Sequence, residues 1–155
     1  MKKFVLAIAA IFTLAMAANA QDHAIGARIG GGQGYGAELS YLHGLGANRL
    51  EFDLGLNLDD DYTAFSLTGV YQWTGEIVGN FGWFAGVGAK FGYWNYDLDG
   101  VDADIALGLV GQAGLEYKFS EVPIQISLDI RPCFYIIPDT DFHWGDIALG
   151  IRYCF

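Results

Sequence analysis

From residue 23 to the end of the chain, apolar side chains recur at every second position and almost never accumulate into a longer run. A period of two is the signature of β-strands, whose successive side chains point to opposite faces. Segment 49–58 shows it most plainly: Leu50, Phe52, Leu54, Leu56 and Leu58 share one face, and Glu51, Asp53 and Asn57 share the other. The same alternation runs through 23–31, 35–43, 64–73, 82–94, 103–119, 124–135 and 146–155, with turn-like segments between them. Eight amphipathic strands of about ten residues each are therefore expected, the element size that crosses a bilayer as β-structure.

Composition sharpens this. Hydrophobic residues make up 53% of the 155 residues and charged residues 17%, against roughly 25% charged in soluble domains. Yet no stretch beyond residue 20 approaches the ~20 apolar residues of a spanning helix. The chain is too apolar to be disordered. With eight Lys and Arg and no basic patch, nucleic acid is not an expected partner.

Residues 1–20 read as a secretory signal peptide. Lys2 and Lys3 precede an apolar core from Phe4 to Ala18, and Ala18-Asn19-Ala20 offers a small-x-small cleavage site. Gln21 then begins a mature chain, 21–155, that is one β-barrel domain. Loss of the two leader lysines moves the net charge from −10 to −12.

Two architectures accept eight such strands. A soluble lipocalin-type barrel hides its apolar face and shows charge to water, whereas a membrane barrel shows its apolar face to lipid. The polar faces here are rich in Gly, Ser and Ala and poor in Lys, as a narrow lumen demands. Of the basic residues beyond the leader, Arg28, Lys90, Lys118, Arg131 and Arg152 fall on polar faces, Arg49 falls in turn segment 44–49, and none falls on an apolar face. Aromatic residues also sort by depth. Drawn up and down, the strands place Tyr41, Trp73, Trp83, Tyr117, Phe119, Tyr153 and Phe155 at one end. Tyr35, Tyr62, Phe65, Phe91, Tyr93, Tyr96, Phe134, Phe142 and Trp144 fall at the other. Two girdles around an aliphatic band match two membrane interfaces. The expected fold is an all-β, eight-stranded, antiparallel, up-and-down transmembrane barrel with both termini on the periplasmic side.

The chain ends Arg152-Tyr153-Cys154-Phe155. With the leader and the alternation, this resembles the small eight-stranded outer-membrane barrels of the OmpA/OmpX-like class over residues 23–155. The resemblance implies the outer membrane of a Gram-negative-type bacterium and contact with outer-membrane lipids including lipopolysaccharide. It also implies that the barrel-assembly machinery reads Tyr153 and Phe155. Residues 23–155 span only the barrel of that class, so wall binding is not among the expectations. A monomeric, non-enzymatic structural or surface-interaction protein without a cofactor is the expectation. A porin-like channel for small solutes or hydrophobic ligands and a lipid-modifying enzyme are the alternatives.

The lumen of so narrow a barrel is filled by side chains. Its expected ion-pair network comprises Arg28, Glu38, Glu51, Asp53, Lys90, Glu116, Lys118, Asp129, Arg131 and Arg152, among Ser40, Asn57, Thr68, Gln72, Gln112 and Gln125. A turn centred near residue 33 sets Arg28 opposite Glu38, and a loop centred between 140 and 141 sets Asp129 opposite Arg152. The same arithmetic sets Cys133 opposite Ala148 and Cys154 opposite Ser127, too far apart for a disulfide, so two free, lumen-facing thiols are expected.

Other candidates carry less. His23, His43 and His143 lie near strand ends without Cys or carboxylate at ligand spacing, so none is read as a metal ligand. No Ser accompanies His143 as a lipid-hydrolase nucleophile would. Asp97, Asp99, Asp102 and Asp104 are weak Ca²⁺ candidates whose spacing departs from an EF-hand loop. With Asp59, Asp60 and Asp61 they read as an acidic outer rim. Gly30-Gly31-Gly32-Gln33-Gly34 has no Lys and no helix after it, so it reads as a hairpin turn rather than a phosphate loop.

Overall fold

The computed structural model describes residues 23–30, 36–59, 62–96, 104–145 and 147–155. The leader, Tyr35, the glycine-rich turn 31–34 and the acidic residues Asp97, Asp99 and Asp102 lie outside the described residues, as does the side chain of Asp104.

Alternating sequence produces strands throughout: β1 (His23–Gly30), β2 (Ala37–Leu45), β3 (Asn48–Asp59), β4 (Tyr62–Val78), β5 (Phe81–Tyr96), β6 (Asp104–Lys118), β7 (Ile124–Ile130), β8 (Cys133–Ile137), β9 (Asp141–His143) and β10 (Ile147–Cys154). β1 to β7 pair antiparallel in sequence order, β8 pairs with β6 and β9, and β10 pairs with β7 and with β1, which closes the sheet. β7 and β8 are two halves of one wall strand, and β9 and β10 two halves of the next. The result is a closed, all-antiparallel barrel of eight wall strands. Closure leaves no sheet edge along the wall to present unpaired backbone to lipid.

The faces sort as the pleat requires. Ile29, Leu39, Leu67, Val87, Leu109, Leu128 and Ile151 point outward and are exposed, while Arg28, Ser40, Glu51, Thr68, Gln112, Asp129 and Arg152 point inward and are buried. The interior is therefore the polar side, inverted relative to a soluble barrel. A small apolar cluster shares it: Val70, Ala106, Val110, Cys133 and Tyr135.

Three sequence expectations change. Segment 74–81 is not a long turn, because β4 continues to Val78 and β5 begins at Phe81 around a turn with Gly79 at φ 55°. Segment 136–145 is largely a hairpin, with β8 and β9 paired from Cys133↔His143 to Tyr135↔Asp141.

The third change concerns register. β7 pairs with β10 at Ile130↔Ile147, but β8 pairs with β9 at Cys133↔His143. One side advances by three residues and the other by four, so one extra residue sits in the 144–146 segment. Gly145 absorbs it at φ 74°, and a Cβ there would fall 2.0 Å from the Arg131 carbonyl oxygen. This is a β-bulge, and glycine is what lets the two backbones meet. On its other side the register is continuous across the β7–β8 junction and shifts only farther along, between Leu107 and Gly108. Ala113↔Ile130 and Val110↔Cys133 keep one register, and Pro132, with no N–H to donate, still accepts from the Gly111 amide at 2.9 Å.

The hairpin reverses near residue 138 and not between 140 and 141, which moves Cys133 from Ala148 to His143, five residues away. The bulge returns one, so the lower half lies four residues from the expected register. Arg152 faces Gln125 and not Asp129, Asp129 faces Ala148, and Cys154 donates its amide to Pro123 and not across from Ser127. The displacement is an even number of residues, so no side chain changes face. At the other hairpin Arg28 does face Glu38.

Candidate functional site: the plugged lumen

Five buried cations point into the barrel, Arg28, Arg49, Lys90, Arg131 and Arg152, together with five buried carboxylates, Glu38, Glu51, Asp53, Glu116 and Asp129. Among the described residues the ionised interior is thus balanced. Burial of so many charges is tolerated only when each is closely paired and hydrogen-bonded.

Pairing runs mostly across the lumen rather than along one hairpin. Arg28 Nη1 donates to Glu38 Oε2 at 3.0 Å. Its Nη2 reaches past β10, where its partner position is Gly150, to Asp129 Oδ1 on β7 at 2.7 Å. A Cβ on Gly150 would sit 2.5 Å from Arg152 Nη1 and 2.3 Å from Ser127 Oγ, so this glycine clears space for the Arg152 guanidinium and its serine partner. Arg131 spans the barrel from the β7–β8 junction, donating to Glu38 and Glu51 at 3.2 Å each and also to Asp53. Arg152 donates to Glu51 Oε1 at 2.7 Å, Ser40 Oγ at 2.9 Å and Ser127 Oγ at 2.8 Å.

Two glutamines complete a ring. Gln72 donates to Glu51 and, at 2.8 Å, to Gln112 Oε1, while Gln112 donates to Asp129 Oδ1 at 3.1 Å. Hydrogen bonds therefore run continuously from Gln72 through Gln112, Asp129, Arg28, Glu38, Arg131 and Glu51 back to Gln72. The members come from β4, β6, β7, β1, β2, the β7–β8 junction and β3. Arg152 of β10 ties into the ring at Glu51.

Toward the end that holds the described termini, a second layer forms. Arg49 donates to Glu116 Oε2 at 2.6 Å and to Gln72 Oε1 at 2.5 Å, and its guanidinium carbon lies 4.9 Å from the centroid of the Phe84 ring. Such a cation over an aromatic face is favourable when desolvated. Gln125 adds a bond to Glu116 at 2.6 Å.

Arg49 is the lumen residue that sequence reasoning missed. It was assigned to a turn, but it shares the odd-numbered face of Glu51 and Asp53, and that parity was the available signal. The buried apolar fillers Phe84, Val70 and Val110 were missed as well, because they interrupt an otherwise polar face. Lys118 sits differently from the other proposed network members. Its side chain is 57% exposed at the mouth and its Nζ lies 3.9 Å from Glu116 Oε1. Lys90 is buried between Thr68 and Gly108 on the neighbouring strands.

The girdle aromatics lie on the outer surface. Tyr41, Trp73, Trp83, Tyr117, Phe119, Tyr153 and Phe155 cluster at the end of the described termini, with edge-on contacts between Tyr71 and Trp73 and between Tyr117 and Phe119. Phe65, Phe91 and Tyr93 pack together near the other end, where Phe134, Phe142 and the highly exposed Trp144 also lie. Cys133 and Cys154 are both free. His143 pairs with Asp141 at 3.0 Å on the exposed β8–β9 hairpin.

No protein-family model matches the chain, and no curated protein sequence matches it. Solved structures do match in fold. Neisserial surface protein A (NspA) superposes with a TM-score of 0.66 at 13% identity, covering 89% of this chain and 100% of that one. The N-terminal β-barrel domain of Pseudomonas aeruginosa OprF superposes with a TM-score of 0.65 at 13% identity, covering 88% and 100%. Both are eight-stranded outer-membrane barrels, and this chain has their fold.

Proposed function

We propose that this chain is an integral outer-membrane barrel whose role is structural or one of surface interaction, and that its lumen is a plug rather than a pore. The observation that carries the reading is the closed hydrogen-bonded ring from Gln72 to Glu51. It recruits side chains from six of the eight wall strands, with Arg152 tying in a seventh, and spans the interior. A solute crossing the lumen would have to part buried ion pairs, each of which leaves uncompensated charge behind. Removal of a leader after Ala20, lipid contact over the apolar exterior, lipopolysaccharide at the outer rim, and assembly through the Tyr153 and Phe155 signal belong to the same reading. The outward Ile, Leu and Val band between two aromatic belts supports it.

Conductance of the refolded protein in a planar bilayer tests it. A silent bilayer at neutral pH is expected. Discrete, stepwise openings would replace the plug with a small-solute channel. That second reading has one observation in its favour: the buried side-chain atoms Asp53 Oδ1, Ser66 Oγ, Thr68 Oγ1 and Arg131 Nε have no protein partner, so polar capacity remains beside the ring.

A further inference from the structure

His23 and His43 are twenty residues apart in sequence, and spacing alone gives no reason to join them. The β1–β2 register sets them directly opposite each other. Their ring centroids lie 4.6 Å apart. Both stand on the outward face, beyond the last lumen layer, at the end that holds the described termini. Tyr41, two residues before His43 on the same face, brings its hydroxyl between them. The oxygen lies 3.3 Å from His23 Nδ1 and 3.5 Å from His43 Nδ1. The phenol has a single proton, so it donates to one ring and accepts from the other. This leaves two imidazole nitrogens converging on one oxygen at a strand end.

We propose that His23, Tyr41 and His43 form a binding site for a late first-row divalent cation of the zinc and copper type. Bonds of roughly 2.0–2.1 Å from a tetrahedral ion to nitrogen or oxygen place neighbouring donors roughly 3.3–3.4 Å apart. The two phenol–imidazole separations, 3.3 and 3.5 Å, are close to that length, so an ion can enter as the hydroxyl proton is released to water and the donating imidazole carries its proton on Nε2 instead of Nδ1. Neutral imidazole suits zinc and copper, whereas calcium and magnesium select oxygen donors. Among the described residues no three His, Cys, Asp or Glu side chains converge; here the third donor is a phenol. His23 is buried and Tyr41 and His43 are half-buried, so a small ligand such as water would complete the coordination. Phe155, whose ring centroid lies 6.1 Å from that of His23, walls one side and holds the imidazole in place.

Zn²⁺ titration into the folded protein in detergent micelles, followed by calorimetry, tests the site. The background carries Cys133→Ser and Cys154→Ser so that thiols do not contribute. One ion per chain is expected, with affinity falling at least about tenfold in His43→Ala and in His23→Ala and less in Tyr41→Phe. Heat-modifiable gel mobility establishes that each variant is folded. Cu²⁺ electron paramagnetic resonance on the unsubstituted histidine site gives a readout that needs no variant, with hyperfine coupling to two imidazole nitrogens expected. No binding heat at millimolar Zn²⁺ would overturn the proposal. So would loss in His23→Ala with full binding in His43→Ala, which would place the ion on the amino-terminal backbone.

Discussion

Replacing Glu51 by Gln is the sharpest probe of the lumen. The carboxylate accepts from Arg152 at 2.7 Å, from Arg131 at 3.2 Å and from Gln72, so it joins the ring to the β10 arginine. It is fully buried. Glutamine keeps the volume and one carbonyl acceptor but removes the charge, leaving Arg131 and Arg152 together with less than their compensation. Removing one partner from a buried ion pair costs about 3–5 kcal/mol, most of it the penalty on the charge that remains. Because Arg131 retains Glu38 and Asp53, the lower end, about 3 kcal/mol, is the expected loss. A urea slope of about 1–3 kcal/mol/M turns that into a midpoint shift of roughly 1–3 M. The assay is urea unfolding of the refolded barrel, read by gel mobility without boiling. Lys118→Gln is the control: its ammonium is mostly solvated, and exposed pairs contribute about 0–1 kcal/mol. If the Glu51→Gln midpoint falls no further than that of Lys118→Gln, the ring contributes nothing to the barrel and the plug argument fails. If Glu51→Gln also opens conductance without loss of fold, the ring is the barrier itself.

Other outcomes follow from the same geometry. Val87→Arg places a charge in the middle of the outward face of β5. It should destabilise the barrel by about 2–4 kcal/mol in lipid vesicles, and tolerance there would argue against lipid contact. Gly145→Ala forces a Cβ toward the Arg131 carbonyl at positive φ. A loss of about 1–3 kcal/mol is expected, read as a lowered urea midpoint, and an unchanged midpoint would remove the bulge as a constraint. Maleimide added to the folded protein should leave Cys133 unmodified, since it is buried, while both thiols label after unfolding. A mass two hydrogens short in the untreated monomer would contradict two free thiols.

Much of this barrel is legible in its sequence, because strand pleating converts parity directly into inside and outside. Leu54 and Asp53 could be assigned to opposite faces without knowing any neighbour. The register of β1 on β2 was equally legible, since their turn is short and its centre fixes every pair. The last hairpin was not, because segment 136–145 has no short turn to mark its centre. The chain reverses near residue 138, and the bulge at Gly145, set by contact with the Arg131 carbonyl, shifts the register by one more residue below it. Parity survived the error, so Asp129 and Arg152 were placed in the lumen while their partners were wrong. Which arginine meets which carboxylate was beyond the sequence altogether. Arg131 finds Glu38, Glu51 and Asp53 only because the curvature of the closed sheet carries β2 and β3 across from β7. His23 and His43 were set aside although the same turn centre sets them opposite each other, because each was read alone as a strand-end histidine.

The strands that meet inside the lumen also say something about how the wall is completed. Arg131 lies about eighty residues beyond Glu51, and Arg28 and Arg152 each join partners about a hundred residues away. No single hairpin except β1–β2 satisfies its own buried charges. A half-built sheet therefore leaves Arg28 without Asp129, and Glu51 without Arg131 and Arg152, until β7 and β10 are in place. Such non-local dependence makes partial structures poor resting places. The interior charges thus favour the finished cylinder over an open sheet, in which their partners are missing.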